Sequence, residues 1–327
     1  MLNFSTSPHV YSPRNTKQIM LDVIIALLPA LIVSLILFGV RALVVVISSV
    51  ASCVMFEYVL QKYAYKKTPT VSNLSAVVTG MLLAYNLPSN VSPMLVMLAS
   101  FVAIGIAKLP YGGLGKNIFN PALVGRVFLF IAFPAYMSSW PKPRFMEFLN
   151  VDIVTSATPL NIMKYTDATT SATKLGGNLP DYLQMFLGDT GGCLGETSAC
   201  ALLLGMIYLL YKRVIKWHIP VVYICTVFAL FAIFYATTDS PKYDPLAQIL
   251  SGGLMLGAIF MATDYTTSPM TDKGKVIFAL GCGVLTFVIR KYSSYPEGVS
   301  FAILIMNAFV PLIDRFCQPR VFGTRRK

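Results

Sequence analysis

The string Thr-Ser-Ala-Thr occurs twice in one polar stretch, at 155–158 and at 170–173. Each copy offers hydroxyls that can accept a phosphoryl group or cap a turn. Thr158 is followed by Pro159, which disfavours the helical region for the residue before it. That predicts an extended Thr158 with its hydroxyl presented to a modifying enzyme. Thr173 is followed by Lys174 and has no such constraint. Arg126 sits inside an apolar run, where a guanidinium marks a site for a phosphate or a carboxylate, or else a structural ion pair. Its candidate carboxylates are Glu57, Glu196 and Asp264. Asn117 and Asn120 lie three apart in LPYGGLGKNIFNPALVGR, a spacing that puts both amides on one helix face. They either cap and tie helices together or hydrogen-bond a polar heterocycle. Glu196 and Thr197 are expected in the first turn of a helix opened by GGCLG, and Thr263 and Asp264 at the end of another.

These groups need an unusual scaffold. The 327 residues are 56% hydrophobic and 12% charged, and the mean hydropathy is +0.67. A soluble domain carries roughly 25% charged residues, so the composition predicts an all-α polytopic membrane protein. The six cysteines are scattered without a C-x-x-C pair, and the two histidines, His9 and His218, are far apart. A metal site built by this chain is disfavoured. The net charge of +12 does not indicate nucleic acid, because the basic residues flank apolar runs, as membrane topology requires.

A spanning helix needs about 20 apolar residues. On that criterion about ten are expected, at 18–40, 42–61, 71–88, 92–109, 117–139, 195–211, 217–237, 247–266, 274–291 and 297–315. With the N-terminus inside, the inner segments hold roughly twice the Lys and Arg of the outer ones, so both termini are expected to be cytoplasmic. The chain then divides into a first membrane half (1–139), an extracytoplasmic loop (140–194), a second membrane half (195–316) and a basic cytoplasmic tail (317–327). Five helices is an odd number, so the second half is inverted relative to the first. The third span of each half is short and Gly/Ser/Thr-bearing, the pointer to inverted repeats around a midplane site.

Read together, SPH near the start, LDVIIALLPAL, SAVVTGMLLAYNLP, YGGLGKNIFNPALVGR, TSATPL, GETSA and EGVSFAILIMNAFVPLID resemble the RnfD/NqrB family. These are membrane flavoprotein subunits of Rnf electron-transport complexes and of sodium-pumping NADH:quinone reductases. The match runs over nearly the whole chain in the family's order. The resemblance implies a urea-transporter-like fold of two inverted five-helix repeats, in a prokaryotic cell (inner) membrane. It implies two cofactors. One is FMN, joined through its phosphate to a threonine in an outward S/D-G/S-A-T loop by a flavin transferase that uses FAD. The other is riboflavin, held without a covalent bond. Only Ala157-Thr158-Pro159-Leu160 completes the A-T-P-L pattern, which implies Thr158 as the anchor. Ser156 stands where glycine is common. Ser156, Ala157, Pro159, Arg126, Glu196 and Thr197 are then expected around the FMN, and Asn117, Asn120, Thr263 and Asp264 around the riboflavin. The resemblance also implies electron relay between ferredoxin and NAD coupled to Na⁺ or H⁺ movement. Its partners are the other membrane and peripheral Rnf subunits, including the second covalent-FMN subunit. No side chain is expected to act as acid, base or nucleophile in turnover. The competing reading is a flavin-free channel or secondary transporter for a small solute on the same architecture.

Overall fold

The computed structural model describes residues 15–143, 155–165, 180–238, 241–293 and 295–318. The second Thr-Ser-Ala-Thr copy lies outside them, as does the basic tail from residue 319. Regular structure among the described residues is helical, apart from one antiparallel bridge between Pro141 and Thr155. The helices among the described residues include α1 Thr16–Phe38, α2 Val40–Val59, α3 Ser75–Tyr85, α4 Pro93–Phe101, α5 Pro121–Ala132, α6 Ala199–Tyr211, α7 His218–Thr238, α8 Leu254–Leu256, α9 Asp272–Tyr292 and α10 Val299–Phe316. A π-helical turn extends three of them: α2 through Leu60–Ala64, α4 through Val102–Ile106 and α8 through Gly257–Met261.

Four of these helices are long and apolar enough to cross a membrane: Thr16–Phe38, Val40–Ala64, His218–Thr238 and Val299–Phe316. The shorter apolar helices include Ser75–Tyr85 and Ala199–Tyr211. Ile32, Ile47, Ile131, Leu204 and Ile233 are each more than half exposed. Such a surface is costly in water and natural in hydrocarbon. The chain is thus a multi-pass membrane protein.

The helix starts are written in the sequence. Asn15 and Gln18 form a capping box at α1, and Ser92-Pro93 and Asn120-Pro121 place a capping side chain before a proline at the first helical position. The helices approach closely where side chains are small, as membrane interfaces favour. A Cβ on Gly80 would lie 2.7 Å from the Val50 Cα, so α3 packs on the backbone of α2, and the Ser49 hydroxyl donates to the Gly80 carbonyl at 2.8 Å. A Cβ on Gly205 would lie 2.3 Å from the Ala26 oxygen, which sets α6 against α1. The Tyr85 hydroxyl donates to the Leu27 carbonyl at 2.8 Å and joins α3 to α1.

Three expectations need correction. The span expected at 71–88 has only eleven α-helical residues, preceded by a 3-10 turn at Val71–Asn73. The span expected at 247–266 is broken: a helix Pro245–Leu250 stops at Ser251, Gly252 turns the chain at φ +74°, and α8 begins at Leu254. Asn117 and Asn120 do not share a helix face. Asn117 precedes α5 and Asn120 is its N-cap, because Pro121 lacks the N–H that would continue a helix backwards.

Candidate functional site

Two polar regions lie at the two ends of α3. The first is a cavity lined by residues from both halves of the chain. Asn117, Asn120, Thr263 and Asp264 all line it, so the four residues expected to bind one ligand do meet. They come from the approach to α5 and from the segment after the π turn at Met261. The Asn120 side-chain oxygen caps the Ala122 N–H at 3.1 Å, and its amide donates to the Met261 carbonyl at 3.2 Å. Asp264 accepts from the Thr266 hydroxyl at 2.9 Å. Ile19, Val23, Leu82, Leu209, Ile215 and Phe260 line the same cavity.

Lys108 also lines the cavity. Positive-inside counting treats it as a loop charge, but the structure buries it. Its ammonium donates to Glu57 at 2.6 Å and to the Ser75 hydroxyl at 2.8 Å. Glu57 is therefore the partner of Lys108 rather than of Arg126. Removing one member of a buried pair costs about 3–5 kcal/mol because the other charge is left uncompensated. Lys108→Met is accordingly expected to lower the midpoint of thermal unfolding in detergent, and Lys108→Met with Glu57→Gln to regain most of the loss.

The second region surrounds Arg126, which is 4% exposed. Its guanidinium donates to the Asn86 side-chain oxygen at 2.6 Å, to the Cys193 sulfur at 3.6 Å and to Glu297, with which it forms a salt bridge. Of the three carboxylates expected as partners, only Glu196 lies in this cluster. Cys193, Glu196 and Glu297 place ligand-type atoms within 4.8 Å of one another. Glu196 and Thr197 are buried, but they precede the helix rather than forming its first turn. Ser198 is the N-cap of α6 and accepts from the Ala201 N–H. The 193–195 stretch of chain instead pairs with the end of α3: Leu194 donates to the Leu87 carbonyl at 3.1 Å and Gly195 to that of Tyr85 at 2.9 Å. One Glu196 carboxylate oxygen is buried and has no hydrogen-bond partner among the described residues.

The Thr155–Leu160 segment lies over this cluster. Ser156 donates its N–H to the Trp140 carbonyl at 2.8 Å, and a Cβ on Gly191 would lie 2.6 Å from the Ser156 hydroxyl. Thr158 is not presented to solvent. It is 4% exposed, and its hydroxyl accepts from the Asn161 N–H at 3.2 Å as the cap of a helix Pro159–Tyr165. The proline that was expected to display this hydroxyl instead starts a helix that the hydroxyl caps. Leu160 and Glu196 meet at one turn: a Cβ on Gly252 would lie 2.3 Å from the Leu160 side chain and 3.6 Å from a Glu196 oxygen. Pro159 is buried, and Ser156 and Ala157 are half-buried.

Asn86, Arg290 and Glu297 belong to these clusters without standing out in the sequence. A signal for Glu297 exists, a carboxylate just before the last apolar helix in EGVSFAIL. Arg290 resembles a flanking charge because it adjoins Lys291.

Ser75 lines the cavity at one end of α3, and Asn86 contacts Arg126 just past the other. At 1.5 Å per residue the two regions are about 16 Å apart, roughly half the ~30 Å hydrocarbon core. The model of the NQR2, RnfD, RnfE family matches residues 3–323. The chain belongs to this family. Its relatives match over nearly all of their own length and of this chain. The D component of the proton-translocating ferredoxin:NAD(+) oxidoreductase complex of Clostridium ljungdahlii is 46% identical over 326 residues, 100% of this chain and 97% of the relative. The corresponding component of the Na(+)-translocating ferredoxin:NAD(+) oxidoreductase complex of Acetobacterium woodii is 46% identical over 327 residues, 99% and 96%. That of the ion-translocating oxidoreductase complex of Stutzerimonas stutzeri is 41% identical over 329 residues, 94% and 92%. Family members at equal identity are thus named for different ions.

Proposed function

We propose that this chain is the electron-carrying, RnfD-type membrane component of an ion-translocating ferredoxin:NAD oxidoreductase complex, with riboflavin in the cavity and FMN joined to Thr158. The carrying observation is the cavity itself. Asn117, Asn120, Thr263, Asp264 and Lys108 line it together with aliphatic side chains and Phe260. An isoalloxazine uses both kinds of lining, with a hydrogen-bonding pyrimidine edge and an apolar benzenoid edge. When bound, flavins would supply the electron chemistry. The chain positions them and excludes water.

At the other end, Thr158 offers the hydroxyl. In the transfer, the Thr158 oxygen takes the FMN phosphorus from FAD as AMP leaves, and the hydroxyl proton goes to solvent. The Thr158 cap on the Asn161 N–H must open for this. Between the two ends runs a chain of contacts. Asn120 bonds the Met261 carbonyl, the Asn86 amide lies 3.6 Å from the Met261 sulfur, and the Asn86 oxygen accepts from Arg126.

Packing supports two inverted five-helix halves. α2 packs on α4 as α7 packs on α9, α4 packs on α5 as α9 packs on α10, and α1 meets α6 while α5 meets α10. A two-fold relation that exchanges the halves maps each of those last two pairings onto itself. On this reading α1 to α10 form about ten crossings, the termini are cytoplasmic, and the Thr158 end faces outward. The partners are the other Rnf subunits, including the second covalent-FMN subunit, and the flavin transferase. The names of the relatives favour electron transfer over a flavin-free transporter. The cavity assignment is tested by Asn117→Ala with Asn120→Ala. Acid-extractable riboflavin should fall to less than about a tenth of the wild-type yield, as expected when a site loses two hydrogen-bonding side chains at about 1 kcal/mol each. An unchanged yield from folded protein sinks the assignment.

A further inference from the structure

Glu196 stands apart in the Arg126 cluster. It is 7% exposed, and its Oε2 is buried with no hydrogen-bond partner among the described residues. The charged groups that face it are engaged elsewhere. Arg126, from α5, donates Nη1 to Asn86 and Nη2 to Glu297 and Cys193. Arg290, from α9, lies across the Gly252 turn and donates its terminal nitrogens to Gln248 and the Ser251 carbonyl. Glu297, before α10, is the anion that Arg126 already holds. The Cys193 thiol donates to the Asn86 carbonyl at 3.2 Å and brings no charge. From α3 the Tyr85 ring lies against Gly195, its hydroxyl donating to Leu27. Arg126 Nη2 touches two of the trio Cys193, Glu196 and Glu297, so a guanidinium rather than a metal ion serves these atoms. What is left is a buried carboxyl with no counter-ion of its own, and such a group sheds its charge by keeping a proton.

We propose that Glu196 is a proton site, and that Glu196 and Glu297 exchange one proton and one guanidinium between them. In one arrangement Arg126 pairs with Glu297 and the proton stays on Glu196. In the other the proton passes from the Glu196 carboxyl to Glu297, and the guanidinium turns to Glu196. The glycines beside the carboxylate leave room for that turn. A Cβ on Gly252 would lie 3.6 Å from Glu196 Oε1, and one on Gly253 would lie 3.9 Å from Oε2 and 3.4 Å from Arg126 Nη1. The carboxylate and the guanidinium thus border the same side-chain-free face of Gly253. Total charge is unchanged by the exchange, so neither arrangement strands a buried ion. What changes is the hold of Arg126 on Asn86, just past the end of α3. The position of one proton therefore sets a contact between the first half of the chain and the break before α8. This holds whichever electron carriers the chain binds.

The test is a double-mutant cycle on the full chain in phosphatidylcholine nanodiscs, read as the midpoint of thermal unfolding. Glu196→Gln mimics the protonated carboxyl and should leave the midpoint unchanged or raised at neutral pH. On the Glu297→Gln background the same change should lower it, because Arg126 then has no carboxylate to turn to. A loss in the wild-type background, or no loss in the Glu297→Gln background, overturns the proposal. An acid kept neutral by the fold gives stability that is lost as pH rises, since the unfolded carboxyl ionises first. Wild type should therefore fall behind Glu196→Gln between about pH 6 and about pH 9, by up to about tenfold in the folded ratio per pH unit. A constant gap over that range also overturns it. Should Glu297→Gln not fold, a hydrophobic carbodiimide decides on the wild type. It adds to the O–H of a protonated carboxyl and leaves an N-acylurea, read by peptide mass spectrometry. Glu196 should be labelled and Glu297 should not, and any other pattern overturns the proposal.

Discussion

Thr158→Ala is expected to remove the covalent flavin completely, so that the fluorescent band of this chain disappears from a denaturing gel. Thr173→Ala is expected to leave the band at full intensity. The contrast separates the two Thr-Ser-Ala-Thr copies, of which only the first is among the described residues. Folding does not confuse the result. Losing an N-cap hydroxyl costs about 1 kcal/mol, and the helix it caps, Pro159–Tyr165, has seven residues and lies outside the main bundle. A chain that accumulates normally but carries no flavin therefore reports the chemistry of one oxygen. Thr158→Ser should retain the flavin, because the hydroxyl and the following proline both remain. A band that survives Thr158→Ala and vanishes with Thr173→Ala would move the anchor to the second copy.

The second large effect is expected at Arg126. Arg126→Met leaves Glu297 and Glu196 buried, and removes the donor that holds Asn86 and Cys193 between the halves of the bundle. Stranding a buried charge costs about 3–5 kcal/mol, a large part of the ~5–15 kcal/mol that separates folded from unfolded domains. Fluorescence-detected size exclusion should show most of Arg126→Met lost to aggregate after mild heating. Arg126→Met with Glu297→Gln should recover at least half of the stability, because the carboxylate is neutralised together with its partner. If Arg126→Met is as stable as wild type, the guanidinium is not a structural tie and its role must lie with a ligand.

The legibility of this chain divides along physical lines. Apolar length identifies α1, α2, α7 and α10, since a run of about 20 apolar residues has few other uses. Broken elements are harder. Ser251-Gly252-Gly253 interrupts what reads as one span, because hydropathy averages over a turn whose geometry is set by a positive φ at Gly252. The cavity residues Asn117, Asn120, Thr263 and Asp264 can be named in advance. Polar side chains beside apolar runs are rare, and the expected topology groups these four at the inner side. Their mutual placement cannot be read from spacing, since Asn120 caps a helix that Asn117 does not enter. Ion pairing is least legible. Lys108 and Arg290 sit where flanking charges are common, and only three-dimensional packing shows them buried against Glu57 and Gln248. The burial of Thr158 is a similar case: a proline after a threonine favours display in an extended chain and capping in a folded one.

Two flavins held differently by one chain form the core of the proposed function, and the most direct measurement counts them. The intact purified protein is measured by absorption spectroscopy, precipitated with acid, and the supernatant and pellet are measured again. One flavin per chain should be released as riboflavin and one retained in the pellet, with the retained mass on the Thr158 peptide. A colourless protein, or a single flavin that is wholly released, would contradict it.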